Sequence, residues 1–328
     1  AYTVDNLTGD AAAQMSQLAR GMHFNRHSAW RQNAKRFKCL HDGLNNQRLF
    51  VLVFAASDPS SGAGIQADIL TLASLGCHPV TAITALTVQD TTGVVSVHPV
   101  ASDLLEAQAR TVLEDMPVAA FKIGVLGSVE NVVAVAEIVG DYPEIPLIFD
   151  PVLASGRGDE FSDEEVIAAM RELLLPQTTV LTPKARRLAE SDDDEGEPSI
   201  DVCAQRLIEM GAQYVLITGT HESTPQVVNT LYSADGVLRR DRWERLPGSY
   251  HGSGCTLASA IAGCIAGGAD VEDAVRESQD YTWQTLSNGF RAGMGQFIPD
   301  RFFWARGEEE PEGGATETTS ADKDAHGG

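Results

Sequence analysis

The chain has 328 residues and a formal net charge of -22, with 43% hydrophobic and 21% charged residues. That length and apolar share suffice for a sizeable core in one large α/β domain or two smaller ones, and the negative balance excludes nucleic acid as the main partner, because phosphate backbones are bound by clustered Lys and Arg. No run approaches the roughly 20 apolar residues of a membrane span, and Cys39, Cys77, Cys203, Cys255 and Cys264 show neither paired nor C-x-x-C spacing, which argues against a disulfide framework or zinc site and fits a reducing cytoplasm.

Residues 1–48 show no sustained period and hold seven Lys or Arg against three Asp. They lack a basic segment leading into an apolar one, so no secretory signal is expected, and they read as an extension without an assigned role. The pattern changes at residues 49–56, a continuous apolar run suited to a strand buried on both faces. A Ser/Pro/Gly loop follows. Over residues 64–75 the apolar Ile65, Ile69, Leu72 and Leu75 recur at helical spacing, and Gly76 is a fitting stop.

The alternation then repeats. Strands are expected at 80–86, 119–126, 146–150, 179–181 and 214–218, with helices at 104–113, 129–139, 164–175 and 201–210. Residues 229–240 form a hairpin pattern turning at Asp235-Gly236. Two helices, 255–266 and 271–287, close the core. Strands alternating with helices of 10–15 residues indicate an α/β fold, a mostly parallel central sheet with helices on both faces and ligands at the carboxyl ends of its strands. The acidic run 191–197 reads as a solvated surface loop in preference to a metal site. The tail 306–328, rich in Glu, Gly and Thr, has the composition of a disordered segment.

Two segments carry chemistry. The first is the loop 56–64, Ala-Ser-Asp-Pro-Ser-Ser-Gly-Ala-Gly, which lacks the Gly-Lys-Ser/Thr ending of a phosphate loop and suits a polar substrate better. Asp58 and Asp68 could accept hydrogen bonds from an amino or hydroxyl group there, although Asp58 equally suits a turn and Asp68 a solvated helix face. Gln89 offers donor and acceptor to a heterocycle edge. The second is His251-Gly252-Ser253-Gly254-Cys255, opening directly onto a helix. Glycine lets backbone N–H groups approach an anion, and the helix N-terminus adds partial positive charge that would bias the Cys255 thiol toward thiolate. The same residues also suit a small-residue helix start packed in a core, with Cys255 and Cys264 as buried small hydrophobes.

Taken together, Asp58-Pro59-Ser60-Ser61-Gly62-Ala63-Gly64-Ile65-Gln66-Ala67-Asp68, Lys122-Ile123-Gly124, Asp150-Pro151-Val152 and Gly252-Ser253-Gly254-Cys255 resemble the bacterial hydroxymethylpyrimidine and phosphomethylpyrimidine kinases of thiamine synthesis, within the ribokinase-like superfamily. The resemblance spans residues 49–305. It implies a cytoplasmic, homodimeric enzyme that uses ATP and Mg2+ to phosphorylate 4-amino-5-hydroxymethyl-2-methylpyrimidine and then its monophosphate. Ala56, Asp58, Ala63, Asp68, Gln89, Val125 and Val152 match the pyrimidine pocket. Gly252, Ser253 and Gly254 match the anion hole, and Cys255 the base, where most ribokinase-like enzymes carry Asp. Lys122, Asp150, Thr218, Gly219 and His251 fall on the nucleotide side, with Asp150 the magnesium ligand; for His251 a turn-stabilising role competes with a phosphate contact.

One departure stands out. Family members follow the strand ending Leu181-Thr182-Pro183 with Asn-x-x-Glu, which helps organise magnesium-bound water and phosphates. Here Lys184-Ala185-Arg186-Arg187-Leu188-Ala189-Glu190 follows, so the Asn is lost and Lys184 replaces the Glu. Three outcomes are open: an active pyrimidine kinase, a pyridoxal kinase of the same branch, or a pyrimidine-binding protein with weakened catalysis.

Overall fold

The computed structural model describes residues 48–153, 163–182, 186–189, 198–219 and 224–305. The N-terminal extension, the tail, the acidic run 191–197, Lys184 and Glu190 lie outside the described residues. The chain divides into a unit of Arg31–Phe303 and a second formed by Ala1–Trp30 with Trp304–Gly328. The sheet and the helices that cover it belong to the first unit.

Strand β1 (Phe50–Ser57) is buried along almost its whole length. It lies inside a sheet that, among the described residues, has nine strands in the order β3-β2-β1-β4-β5-β6-β7-β8-β9. β1 pairs in parallel with β2 (His78–Gln89) and β4 (Val118–Ile123), and the parallel series continues through β5 (Leu147–Phe149), β6 (Val180–Leu181) and β7 (Tyr214–Thr218). The edges are antiparallel: β3 (Val94–Pro99) on one side, the hairpin β8 (Gln226–Ser233) and β9 (Gly236–Glu244) on the other.

The continuous apolar run in β1 has a simple cause. Its side chains alternate between two cores, Leu52 and Phe54 facing one, Val51, Val53 and Ala55 the other, so every position is apolar. The first core receives α2 (Ser102–Asp115), α3 (Val129–Gly140) and α6 (Ile200–Glu209) through Leu105, Val135 and Leu207. The second receives α1 (Gly64–Ser74) and α7 (Ser253–Ala266) through Leu72, Leu257 and Ile261. Helix α8 (Val271–Ser287) packs on α7.

The expected alternation is present, with local differences. β2 is longer than its apolar core, 12 residues, because its far half leaves the sheet interior to pair with β3, a short edge strand with no buried residue and no counterpart among the expected strands. The helix expected over 164–175 is α-helical only as α4 (Glu164–Ala169), then widens to a π turn at Met170–Leu174 and tightens to a 3-10 turn carrying Pro176. Proline has no N–H to continue an α ladder, which accounts for the ending. Beyond β6 lies the one-turn α5 (Arg186–Ala189). No helix of the described residues is long and apolar enough to cross a membrane.

Candidate active site

The carboxyl ends of the parallel strands open onto a cavity of about 500 Å³. β1 contributes Ala55 and Ala56, the turn after β4 Gly124 and Val125, the turn after β5 Asp150 and Val152, β6 Thr182 by its end, and β7 Thr218. Parallel strands place ligands at this end because the turns leaving them diverge to the two helical layers.

Two helices present their N-termini to this cavity, and both lack a side-chain cap. α3, α6 and α8 begin at Ser128, Ser199 and Asp270, each accepting a hydrogen bond from the first turn. α1 begins at Ala63 and α7 at Gly252, neither with a side-chain cap. The Gly64 N–H at the start of α1 meets the Cys255 thiol, while the turn opening α7 lines the cavity with its uncapped first-turn N–H groups, the arrangement that suits an anion. Gly252 has φ 81°, and a Cβ there would collide with the Gly62 carbonyl, so only glycine lets the 251–256 turn sit against the 58–64 loop. Cys255 lies on the cavity wall with Ser253 and Gly254.

The expectation that the helix field would favour the Cys255 thiolate is overturned. Burial pushes the thiol up to about 11, opposed by the positive charge of Lys122 and reinforced by the negative charges of Asp68 and Asp150. Withdrawal from water outweighs the Lys122 charge and the hydrogen bond from the Gly64 N–H.

Neither Asp58 nor Asp68 takes the substrate-facing place, and Asp58 has the turn role that the sequence also allowed. Both Asp58 and Asp68 are fully buried, and neither lines the cavity. Asp58 accepts from the Ser60 N–H (2.8 Å) and hydroxyl (3.0 Å) and the Ala63 N–H (2.7 Å), and meets His251 Nε2 at 2.8 Å. Burial pushes its carboxyl up, but the hydrogen bonds from His251, Ala63 and Ser60 more than offset this and hold it below the usual carboxylate range. Asp68 is no solvated helix residue: it accepts from Lys122 Nζ at 2.9 Å and from the Ser259 hydroxyl at 2.6 Å. Lys122 touches the cavity, yet its ammonium is engaged by Asp68, which with Cys255 and Asp150 keeps it charged against the opposing effect of burial.

Of the other sequence candidates, Ala63, Gln89 and His251 line the cavity, whereas Gly219 does not. Gln89 Nε2 donates to Thr87 Oγ1 at 2.8 Å. The Gly219 N–H donates to Asn229 Oδ1 at 3.2 Å, behind the wall at Thr218.

That wall holds what sequence reasoning missed. Asn229 donates to Gln279 Oε1 at 2.7 Å, Trp243 Nε1 donates to the same oxygen at 3.0 Å, and Gln279 Nε2 donates to Asp241 at 3.0 Å. Asn229, Trp243 and Gln279 all line the cavity, together with Trp283 and Leu286. They come from β8, β9 and α8, and no short motif joins them. Also missed was Arg301, 2% exposed, behind the glycine turn.

A parallel sheet with antiparallel edges, ligand cavity at its carboxyl ends and a glycine turn opening a helix define a ribokinase-like phosphotransferase. Solved relatives agree: a pyridoxal kinase from Staphylococcus aureus, in complex with AMP-PCP and pyridoxal, superposes with TM-score 0.71 at 27% identity, covering 80% of this chain and 96% of that one. Residues 58–300 match the family model described as phosphomethylpyrimidine kinase, and the chain belongs to that family. It is 38% identical over 251 residues to the hydroxymethylpyrimidine/phosphomethylpyrimidine kinase of Mycobacterium tuberculosis, covering 75% of this chain and 90% of that protein. With the Escherichia coli enzyme of the same name it shares 32% identity over 255 residues, covering 77% and 96%.

Proposed function

We propose that this chain transfers the γ-phosphoryl group of ATP to the hydroxymethyl oxygen of 4-amino-5-hydroxymethyl-2-methylpyrimidine, and then a second phosphoryl group to the monophosphate. The observation that carries this reading is that the uncapped turn at residues 252–255, Gln89 and Asp150 face one cavity. The pyrimidine lies among Ala56, Ala63, Gln89, Val125 and Val152, and ATP lies toward Thr218 and Asn229. In the transfer the hydroxyl oxygen forms a bond to the γ-phosphorus while the bond from that phosphorus to the bridging oxygen of ADP breaks. The hydroxyl proton passes to the Cys255 thiolate, a minority form at neutral pH that the Lys122 charge favours. N–H groups of Ser253, Gly254 and Cys255 hold the charge developing on the transferred group. Asp58 and Asp68 act from below the wall, by fixing the loop, His251 and Lys122.

Mg2+ takes few protein oxygens and keeps water and phosphate as its other ligands, so the lone carboxylate of Asp150 beside the 252–255 turn fits it; the ion would neutralise the phosphate oxygens. No group of three or more His, Cys, Asp or Glu among the described residues forms a fuller cage. A homodimer in the cytoplasm, with no nucleic-acid or membrane partner, completes the proposal.

The test is a coupled ATP assay offering the hydroxymethylpyrimidine, its monophosphate and pyridoxal side by side. ATP consumption with both pyrimidines is expected; consumption with pyridoxal alone would establish the second reading, which the likeness to the pyridoxal-bound Staphylococcus aureus enzyme supports. Titrating Mg2+ in that assay addresses Lys184: full turnover at low Mg2+ would remove the idea that the lost Asn-x-x-Glu weakens catalysis.

A further inference from the structure

Arg301 follows directly on the segment matched by the family model, and its guanidinium is buried without a carboxylate within salt-bridge distance among the described residues. Burying a charge is costly unless hydrogen bonds compensate. Here the compensation is specific. One terminal nitrogen donates to the Gly62 carbonyl at 2.6 Å and the other to the Ser61 carbonyl at 3.4 Å, while Nε donates to the Thr256 hydroxyl at 3.1 Å. Thr256 in turn donates its hydroxyl to the Gly252 carbonyl at 2.8 Å. One planar group thus ties the 58–64 loop to the first turn of α7.

The acceptors are held in unusual backbone. Ser61 has φ 58°, a conformation that side-chain-bearing residues rarely adopt, and the Gly62 carbonyl also faces the close approach of Gly252. Arg301 is itself anchored, since its own carbonyl accepts from the Ser74 hydroxyl at 2.6 Å and the Tyr281 hydroxyl at 2.9 Å. A lysine could reach one acceptor as a point charge but could not span loop and helix together.

We propose that Arg301 is a positioning residue for phosphoryl transfer: it sets the spacing between the 58–64 loop and the 252–255 turn, and hence between the acceptor hydroxyl and the N–H groups that meet the transferred phosphoryl. This rests on the reading of that turn as the anion hole. Arg301 touches neither substrate, so its removal acts on turnover more than on binding.

Arg301→Met and Arg301→Lys are compared with the unaltered enzyme in steady-state assays with ATP and the hydroxymethylpyrimidine, with thermal melts and hydrogen exchange of the Thr256 amide. For Arg301→Met, kcat falls about 100-fold, the scale on which an ångström of misplacement acts, with both KM values within about 3-fold. Arg301→Lys recovers part of that loss, and in both variants the Thr256 amide, which donates to the Gly252 carbonyl, exchanges faster while the rest of the domain stays protected. If Arg301→Met does not fold, Arg301→Lys alone decides, by a lowered kcat at unchanged KM. Unchanged kcat in the folded variants, or a loss carried wholly by KM, overturns the proposal. Should the unaltered enzyme phosphorylate no pyrimidine, the functional reading fails, and the exchange of the Thr256 amide still decides whether Arg301 holds the turn: unchanged exchange overturns it.

Discussion

The two walls of the cavity are built by different means. The wall formed by residues 58–64 and 251–256 is fixed from below by buried charge: Asp58 with His251, Asp68 with Lys122, and Arg301 across both segments. The opposite wall is held by side-chain amides and an indole, Asn229, Gln279 and Trp243, in a network that reaches the partly exposed Arg239–Asp241 pair. Buried charges tolerate little displacement, because each loses its compensation when a partner moves, whereas amide networks can re-form with water. On the proposed function, the first wall suits chemistry at a fixed point and the second suits holding a nucleotide.

This contrast can be broken at several points. Lys122→Met leaves Asp68 buried without its cation, for which a loss of about 3–5 kcal/mol of stability is expected in denaturant unfolding. The double change Lys122→Met with Asp68→Leu should restore part of that loss; a single variant as stable as the unaltered protein would show that the pair carries no structural weight. Cys255→Ala should lower kcat by about 10²–10⁴-fold, the range of general-base catalysis, and leave the dissociation constant of the pyrimidine within about 3-fold. Equal turnover in that variant removes Cys255 from the mechanism.

The pH profile follows from the same residue. With the thiol pushed up to about 11, the thiolate fraction grows about tenfold per pH unit through the neutral range, so kcat should climb from pH 7 toward pH 10 in the unaltered enzyme and stay flat in Cys255→Ala. The linked stability runs the opposite way. A thiol whose folded value exceeds its ordinary one contributes stability below that ordinary value, lost as pH rises toward 11, so thermal melts should weaken over that interval and less so in Cys255→Ala. The smallest effect is expected on the other wall. Gln279→Ala should raise the KM for ATP by about 5–30-fold, matching one or two hydrogen bonds of about 1 kcal/mol each, with kcat little changed. A drop in kcat at constant KM would place that wall in the chemistry as well.

Much of the site was visible along the chain because its parts are local. A glycine turn opening a helix, a Ser/Pro/Gly loop after an apolar strand and a carboxylate ending a strand are each contiguous, and backbone geometry alone brings them to one end of a parallel sheet. Burial is not local. Whether Asp68 faces water or a lysine depends on Lys122 and Ser259, 54 and 191 residues away, and no period in the helix 64–74 discloses it. The thiol of Cys255 illustrates the same limit, since the helix N-terminus is legible but the burial that raises the thiol, and the charges of Lys122, Asp68 and Asp150 around it, come from β4, α1 and the turn after β5. β3 is a different case: its Val95-Ser96-Val97-His98 alternation is visible, but the strand is short and pairs only at the sheet edge.

The sequence by itself determined the α/β alternation, the strand buried on both faces, the order of the loop and turn motifs, and through them the family. Short-range sterics and hydrophobic period encode all of these. Only the tertiary structure decided which carboxylates lie beneath the wall, which way burial moves the thiol, that Asn229, Trp243 and Gln279 line the cavity, and that Arg301 lies behind the glycine turn. Those depend on electrostatic and hydrogen-bond partners far apart along the chain, which become neighbours only once the sheet and its helices have packed.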